Sequence, residues 1–413
     1  MSILSRFNTY PVHPIQMGLF ILFELQLIFG KQFTTFHIVG PLHLSDLVLA
    51  ILAISGLVLI IVKKITLPLY WPLFGLLGIS FIYLIYSFSA ALGPLNYIIR
   101  HYALFIYLGL SFIIFYSFAD DEKQKINVRF ILLMGILALV SQILFHGYNF
   151  ATVEGYYTQL FSRFNYWTEL VMPGLVIIEV WALCFLKKNA LKIITALAVL
   201  FLSTTLGHAS AFLACFVPII IYFLLIFKIK HWIIITSVIV SMVSLFIFLP
   251  QFSDVNAMWR ILYWREILKE GFLNYYGVFG HGFGGAFITE SMNQTFLNEL
   301  GSIHFDVNPE EKFLTPMHNS FVTIMFHIGI IPGLLIFVPL KNAFQWAFNY
   351  KIEHAASKKF LFLSFMGFVV WASFNVILEM PHSSAFFWFI YFSVLYEFRD
   401  PEEKNFSFRI IKD

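Results

Sequence analysis

The chain has 413 residues, of which 60% are apolar and only 12% charged, against roughly 45–50% and 25% in soluble domains. That composition excludes water as the main solvent, and the formal net charge of +3 leaves the placement of positive charge as the informative quantity. Aromatic residues make up 19%, with 51 phenylalanines, which suits lipid contact and aromatic packing better than one globular core. Cys184 and Cys215 lie inside apolar runs, with no disulfide or metal spacing. Arg6 precedes a long apolar stretch without a small-residue cleavage site, so a retained first helix is expected rather than a signal peptide.

In chain order, apolar runs predict spans near 14–30, 44–62, 67–88, 95–118, 127–145, 168–186, 191–206, 209–227, 231–249, 317–340, 359–378 and 382–397. The weakest division is at 206/209, where residues 204–210 interrupt one apolar run. With the N-terminus in the cytoplasm, nineteen of the 26 Lys and Arg residues fall on the inner side, including Lys63, Lys64, Lys187, Lys188 and Arg399. The positive-inside rule is then met at every inner connection. The expected fold is an all-α integral membrane domain over 1–413, with about twelve spans, no internal repeat and both termini inside. Its larger outer connections are 146–167 and 250–316. The second, between spans nine and ten, carries eight carboxylates against Arg260, Arg265, Lys269 and Lys312.

Ionisable residues within spans are costly and face a bundle interior or a water-filled cavity. Glu24, Asp46, Arg100, His101, Glu169 and Glu379 all fall in the outer halves of their spans, so a cavity would open outward. Arg100 lies about 8 Å from the outer end of the fourth span at 1.5 Å per residue. Snorkelling and an anion contact are both compatible with that depth. Glu179 sits in the inner half of the sixth span, where an unidentified partner on a neighbouring helix is expected.

Within the large loop, residues 256–271 read as an amphipathic helix ended by glycine. At 100° per residue, Arg265, Glu266, Lys269 and Glu270 share a polar arc, while Arg260 lies with Trp264 and Ile267. A guanidinium among apolar groups suits a phosphate, which it binds bidentately, or a membrane headgroup. The run GHGFGG at 280–285 either brings backbone amides, with His281, close to an anion or forms a turn requiring positive φ. It lacks the Lys-Ser/Thr element of a nucleotide P-loop. His318 and Asn319 open the tenth span, where an imidazole can take a proton from a hydroxyl. His327, nine residues on, is rotated by about 180° and cannot share a helix-face metal site with it.

These residues resemble the bacterial O-antigen polymerase and O-antigen ligase superfamily, polytopic enzymes that transfer lipid-carried glycans at the periplasmic face. The likeness covers nearly the whole chain through topology and 256–334 in detail: RILYW at 260–264 leading into GHGFG at 280–284, then His318-Asn319, then GIIPG at 329–333. The polymerase branch is associated with an arginine and a glycine separated by ten residues in the third and fifth outer loops. Arg163 with Gly174 and Arg260 with Gly271 have that spacing. The family often has an arginine near the outer end of the seventh or eighth helix, where this chain reads TLGHAS at 205–210. Either His208 substitutes or that anion contact is absent. The resemblance implies an inverting transfer from an undecaprenyl-pyrophosphate-linked glycan, with Arg260, Arg163 and Arg100 on the phosphates and His318 as base. It implies no cofactor, metal or nucleic acid, a bacterial inner membrane location, and a chain-length regulator as membrane partner. A ligase and a polysaccharide flippase are the alternatives.

Overall fold

The computed structural model describes residues 15, 17–19, 21–22, 36–39, 42–117, 131–133, 135–137, 140, 168–205, 209–227, 236, 240, 255–272, 275–300, 311–314, 316–348, 356–399 and 407–408. Most of the described residues are helical. Helices α1 (Leu44–Val62), α2 (Trp71–Ser89) and α3 (Leu95–Tyr116) are followed by α4 (Thr168–Phe185), α5 (Asn189–Thr205) and α6 (Ala209–Phe227). The loop segment contributes α7 (Val255–Glu266) and α8 (Glu290–Leu300). Then come α9 (Ser320–Ile328), α10 (Ile330–Phe348), α11 (Ala356–Phe374) and α12 (Pro381–Phe398). Among the described residues α1, α2, α3, α10 and α11 are long and apolar enough to cross a bilayer. The predicted spans 14–30, 127–145 and 231–249 lie largely outside the described residues, as do the loop 146–167 and Glu24.

Local chemistry sets the helix starts. Asp46 accepts the His43 backbone N–H at 2.8 Å and closes the first turn of α1. Proline opens α2 and α12, where its missing N–H leaves no helical bond unmade. Once formed, the helices are inverted relative to a soluble bundle. Leu47, Ile51, Ile54, Val58 and Val62 make an exposed apolar stripe along α1, with Ile54 62% exposed, a surface suited to lipid. By contrast α12, apolar all round, is buried at Phe387, Trp388, Ile390, Tyr391, Phe392 and Val394. Its rings meet α3 edge-on, with Phe112 to Phe392 at 5.6 Å and Phe115 to Phe389 at 5.6 Å. Gly367 lets α11 approach the Val176 side chain of α4 and the Ala214 carbonyl of α6. The Lys192 Nζ to Tyr222 hydroxyl bond at 2.7 Å joins the start of α5 to the later half of α6.

Two sets of contacts define the ends of the bundle. At one, Leu67–Pro68 pairs antiparallel with Ser407–Phe408, joining the α1–α2 connection to the C-terminal tail; this is the tail end. At the other, the loop end, Arg100 links the first turn of α1 to the α11–α12 turn through Asp46 and the Glu379 carbonyl. The expected topology likewise groups residues 63–70 with the C-terminus, and residue 44 with residue 379.

The tenth predicted span, 317–340, is corrected. Gly329, at φ 91° and ψ 159°, breaks it into α9 and α10. Both ends of α9 are held at the loop end: Ser320 by the α11–α12 turn, Phe326 and His327 by residues 281–282. The segment that runs through the bundle is α10, whose Ile336 carbonyl accepts from Tyr391 midway and whose Trp346 packs on Phe398 at the tail end. An apolar run from 317 hides the change because α9 is buried under the loop layer, so its composition matches that of a span. The helix expected over 256–271 is present, its α-helical part α7 passing into a π-helical segment over Ile267–Phe272. The loop layer has its own core of Leu262, Tyr263, Ile267, Phe287, Met292, Phe296, Met317 and Phe326.

Candidate functional site at the loop end

Gly280, Gly282 and Gly284 all have positive φ, at 77°, 77° and 92°. The loop they form is filled by protein. His281 and Gly282 donate their amides to the carbonyls of Phe326 and His327 at 2.8 and 2.9 Å. Phe283 donates to the Ser87 hydroxyl at 2.7 Å and Gly284 to His101 Nδ1 at 3.1 Å. Four consecutive amides are thus occupied. Of the two readings of 280–285 the turn is the one found, and it staples the loop layer onto α2, α3 and α9. Because Nδ1 of His101 accepts, its Nε2 donates to the Phe313 carbonyl at 2.8 Å. His327 Nδ1 donates to the Gly282 carbonyl at 2.7 Å, and its buried Nε2 has no hydrogen-bond partner among the described residues. His281 donates to the Phe326 carbonyl at 3.2 Å and stacks on the Phe326 ring at 4.1 Å. Burial holds the His281 imidazole below its ordinary pKa, partly offset by that carbonyl. This places His281 at the Phe326 end of α9, about 12 Å along the axis from residue 318 at 1.5 Å per residue.

His318 lies at the opposite end, with φ 48°, a left-handed backbone rarely adopted by a side-chain-bearing residue. Neighbours on both sides hold it there. The preceding Met317 carbonyl accepts from Trp264 Nε1 at 2.7 Å, and the His318 amide donates to the Pro316 carbonyl at 2.8 Å. On the other side Asn319 caps α9, its Oδ1 accepting from Phe321 and Val322 at 3.1 Å each. The imidazole meets the Trp259 ring edge-on at 5.2 Å. Trp259 immediately precedes Arg260, so this contact brings the Arg260 segment of α7 and His318 together. Arg260 is half-buried, whereas Arg265 is exposed and paired with Glu266 at 2.7 Å and Glu299 at 2.5 Å.

Arg100 is neither snorkelled nor open. Its guanidinium donates to the Tyr107 hydroxyl at 3.1 Å and the Glu379 carbonyl at 3.3 Å, and lies 3.7 Å from Asp46. Tyr107 in turn donates to Asp46 at 2.5 Å. Arg100 is therefore a charge-balanced strut between α1, α3 and the α11–α12 turn. From that turn the Glu379 carboxylate accepts the Ser320 hydroxyl at 2.6 Å, while Ser320 accepts the amides of Ile377 and Leu378 at 2.9 and 3.1 Å. Glu379 Oε1 is buried without a hydrogen-bond partner among the described residues. The structure thus sets His318, followed by Asn319, against Trp259, the neighbour of Arg260, and ties Arg100 to α9 through Glu379 and Ser320. It leaves His281 apart. Arg163 and His208 lie outside the described residues. Trp259, Trp264 and Ser320 are the positioning groups that the sequence did not single out. Trp264 was visible only as an apolar neighbour of Arg260, because its partner is 53 residues away. Glu179 is wholly buried, with both carboxylate oxygens unpaired among the described residues, so the expected helix–helix partner is not found there.

Burial raises the Glu379 carboxyl above the ordinary range, against the Ser320 hydrogen bond that lowers it. The fold therefore favours the neutral acid. Its contribution to stability is complete below the ordinary carboxyl pKa of about 4 and declines as pH rises through the raised folded value. Melting of purified protein in detergent should show that decline, and Glu379→Gln should flatten it. An identical pH slope in the variant would exclude Glu379 as its source.

The fold and site define a class: an all-α, membrane-type helix bundle with a folded loop layer over one end. Comparison with known proteins adds no member to it, since no family model, curated protein or solved structure matches the chain.

Proposed function

We propose that this chain is an O-antigen, or surface polysaccharide, polymerase of a bacterial inner membrane, with the loop end facing the periplasm and both termini in the cytoplasm. The observation that carries the reading is the left-handed backbone of His318. Backbone strain at a polar residue is retained where surrounding structure enforces it, and such residues gather at functional sites. Here Trp264, the Asn319 cap and the Trp259 ring enforce it beside the Arg260 segment.

In the proposed reaction the hydroxyl oxygen of one lipid-linked repeat unit attacks the anomeric carbon of another lipid-linked glycan. The bond from that carbon to the pyrophosphate oxygen breaks, and His318 takes the hydroxyl proton. The departing undecaprenyl pyrophosphate carries its negative charge without protonation, so cations near it matter more than a general acid. Arg260 and Arg163 supply them. Arg100, balanced by Asp46, serves better as a strut than as a phosphate ligand. Displacement in one step inverts the anomeric centre and calls for neither metal nor nucleotide. A chain-length regulator in the same membrane is the expected protein partner.

Deletion of the gene followed by gel analysis of surface polysaccharide tests the reading. One repeat unit on the core supports a polymerase, while unsubstituted core with lipid-linked polymer would make the chain a ligase. An unchanged ladder would remove both and return a flippase or another membrane role to consideration. Within the polymerase reading, Arg260→Ala should reduce polymer far more than Arg265→Ala. Arg260→Lys should restore it only in part, because lysine keeps the charge and loses the bidentate fork. Equal ladders for the 260 and 265 variants would refute the assignment.

A further inference from the structure

We infer that the loop layer is seated in the bilayer surface through an apolar band continuous with the lipid-facing side of α10, so that its occupant is lipid hydrocarbon. The band starts on α10, where Ile331, Leu334 and Val338 are 68%, 47% and 50% exposed at helical spacing on a membrane-length segment. Gly329, immediately before α10, is packed so tightly on the short helix Tyr275–Phe279 that a Cβ there would overlap the Val278 carbonyl oxygen. That contact sets the exposed side chains of Val278 and Phe279 next to the start of the α10 stripe. The same short helix packs on the π-turn Ile267–Phe272, which exposes Leu268 at 52%. Two turns earlier, on α7, Ile261 is also exposed. Residues separated by some 70 positions in sequence thereby form one surface.

The rest of the layer's exposed surface is of different chemistry. Exposed Gln294 and Asn298 lie on α8, Glu290 pairs with Lys312 at 2.7 Å, and Glu299 pairs with Arg265. A layer with a charged surface and one apolar edge lies in an interface plane, its apolar edge reaching about 5–10 Å into the headgroup and acyl boundary. This inference needs no enzymatic activity. It rests on exposure and packing alone.

Single nitroxide labels at 268, 279, 298 and 331, with Cys184 and Cys215 replaced by alanine, test it in proteoliposomes of phosphatidylethanolamine and phosphatidylglycerol. Labels at 268 and 279 should behave like 331, colliding with oxygen in preference to a water-soluble nickel chelate. The label at 298 should show the reverse preference. If 268 and 279 matched 298, the band would face water and the inference would fail. Dipolar broadening at 268 and 279 that disappears on dilution with unlabelled protein would place a second copy on the band and overturn it equally. A label at 278 repeats the measurement should modification of 279 disturb the Gly329 contact.

Discussion

Replacement of His318 by alanine is expected to abolish nearly all polymer formation while leaving expression, membrane insertion and donor-lipid binding unchanged. A positioned general base contributes about 10²–10⁴ in rate, and the backbone at 318 is held by groups that the substitution does not remove: the Trp264 bond to Met317 and the Asn319 cap. A left-handed backbone costs a residue with a Cβ roughly 1–2 kcal/mol, most of which the fold already bears at histidine. The change therefore deletes the imidazole and little else. His327→Ala is the contrasting case. That ring is buried, donates to Gly282 and packs against the rings of His101 and Phe283, so its loss should lower the melting temperature before it alters turnover. The measurement is transfer between purified lipid-linked repeat units, with melting recorded in parallel. Wild-type turnover by the His318 variant across neutral pH would dismiss the imidazole as base. Glu379, which accepts the hydroxyl of Ser320 two residues beyond His318, would then be the carboxyl to examine.

Replacing Gly329 by alanine should be among the most damaging single methyls at the described glycines. Its φ of 91° with ψ of 159° belongs to a region almost restricted to glycine, costing of order 1–3 kcal/mol for other residues. A Cβ would also overlap the Val278 carbonyl and crowd Phe279, and backbone cannot yield as a flexible side chain can. Overpacking adds typically about 1–3 kcal/mol. Because Gly329 joins α9 to α10 and seats the Tyr275–Phe279 helix, the defect should separate the loop layer from the bundle. Detergent melting together with limited proteolysis within 255–300 reads this out, the variant being cleaved while the helices of the bundle stay intact. Gly333→Ala is the softer comparison, since the atom it would meet first is a Met325 side-chain carbon. Equal melting temperatures for Gly329→Ala and wild type would show that the junction has another conformation.

Much of this protein was legible without coordinates, and the reason is physical. Membrane-length apolar runs such as 44–62 and 95–116 announce helices because lipid offers the backbone no alternative partners, so composition and length alone suffice. The polar arc of α7 was readable too, since the period of a helix follows from local geometry and the exposed Arg265 pairs with the buried Glu266 and the exposed Glu299. Positive φ at Gly280, Gly282 and Gly284 was anticipated from residue type, glycine alone having no Cβ to forbid it.

What the tertiary structure alone decided is which polar groups are already engaged. The amides of 281–284 were compatible with an anion or with a turn, and their acceptors are Ser87, His101 and the carbonyls at 326–327, all distant in sequence. Arg100 looked like a phosphate ligand, yet Asp46, 54 positions earlier, neutralises it. The division of the tenth span was invisible for a related reason: α9 is apolar because protein covers it, and α10 because lipid can, and hydropathy does not distinguish the two solvents. Hydrogen-bond saturation, charge balance and the identity of what covers an apolar face are properties of residues brought together from far apart, so only the folded chain could set them.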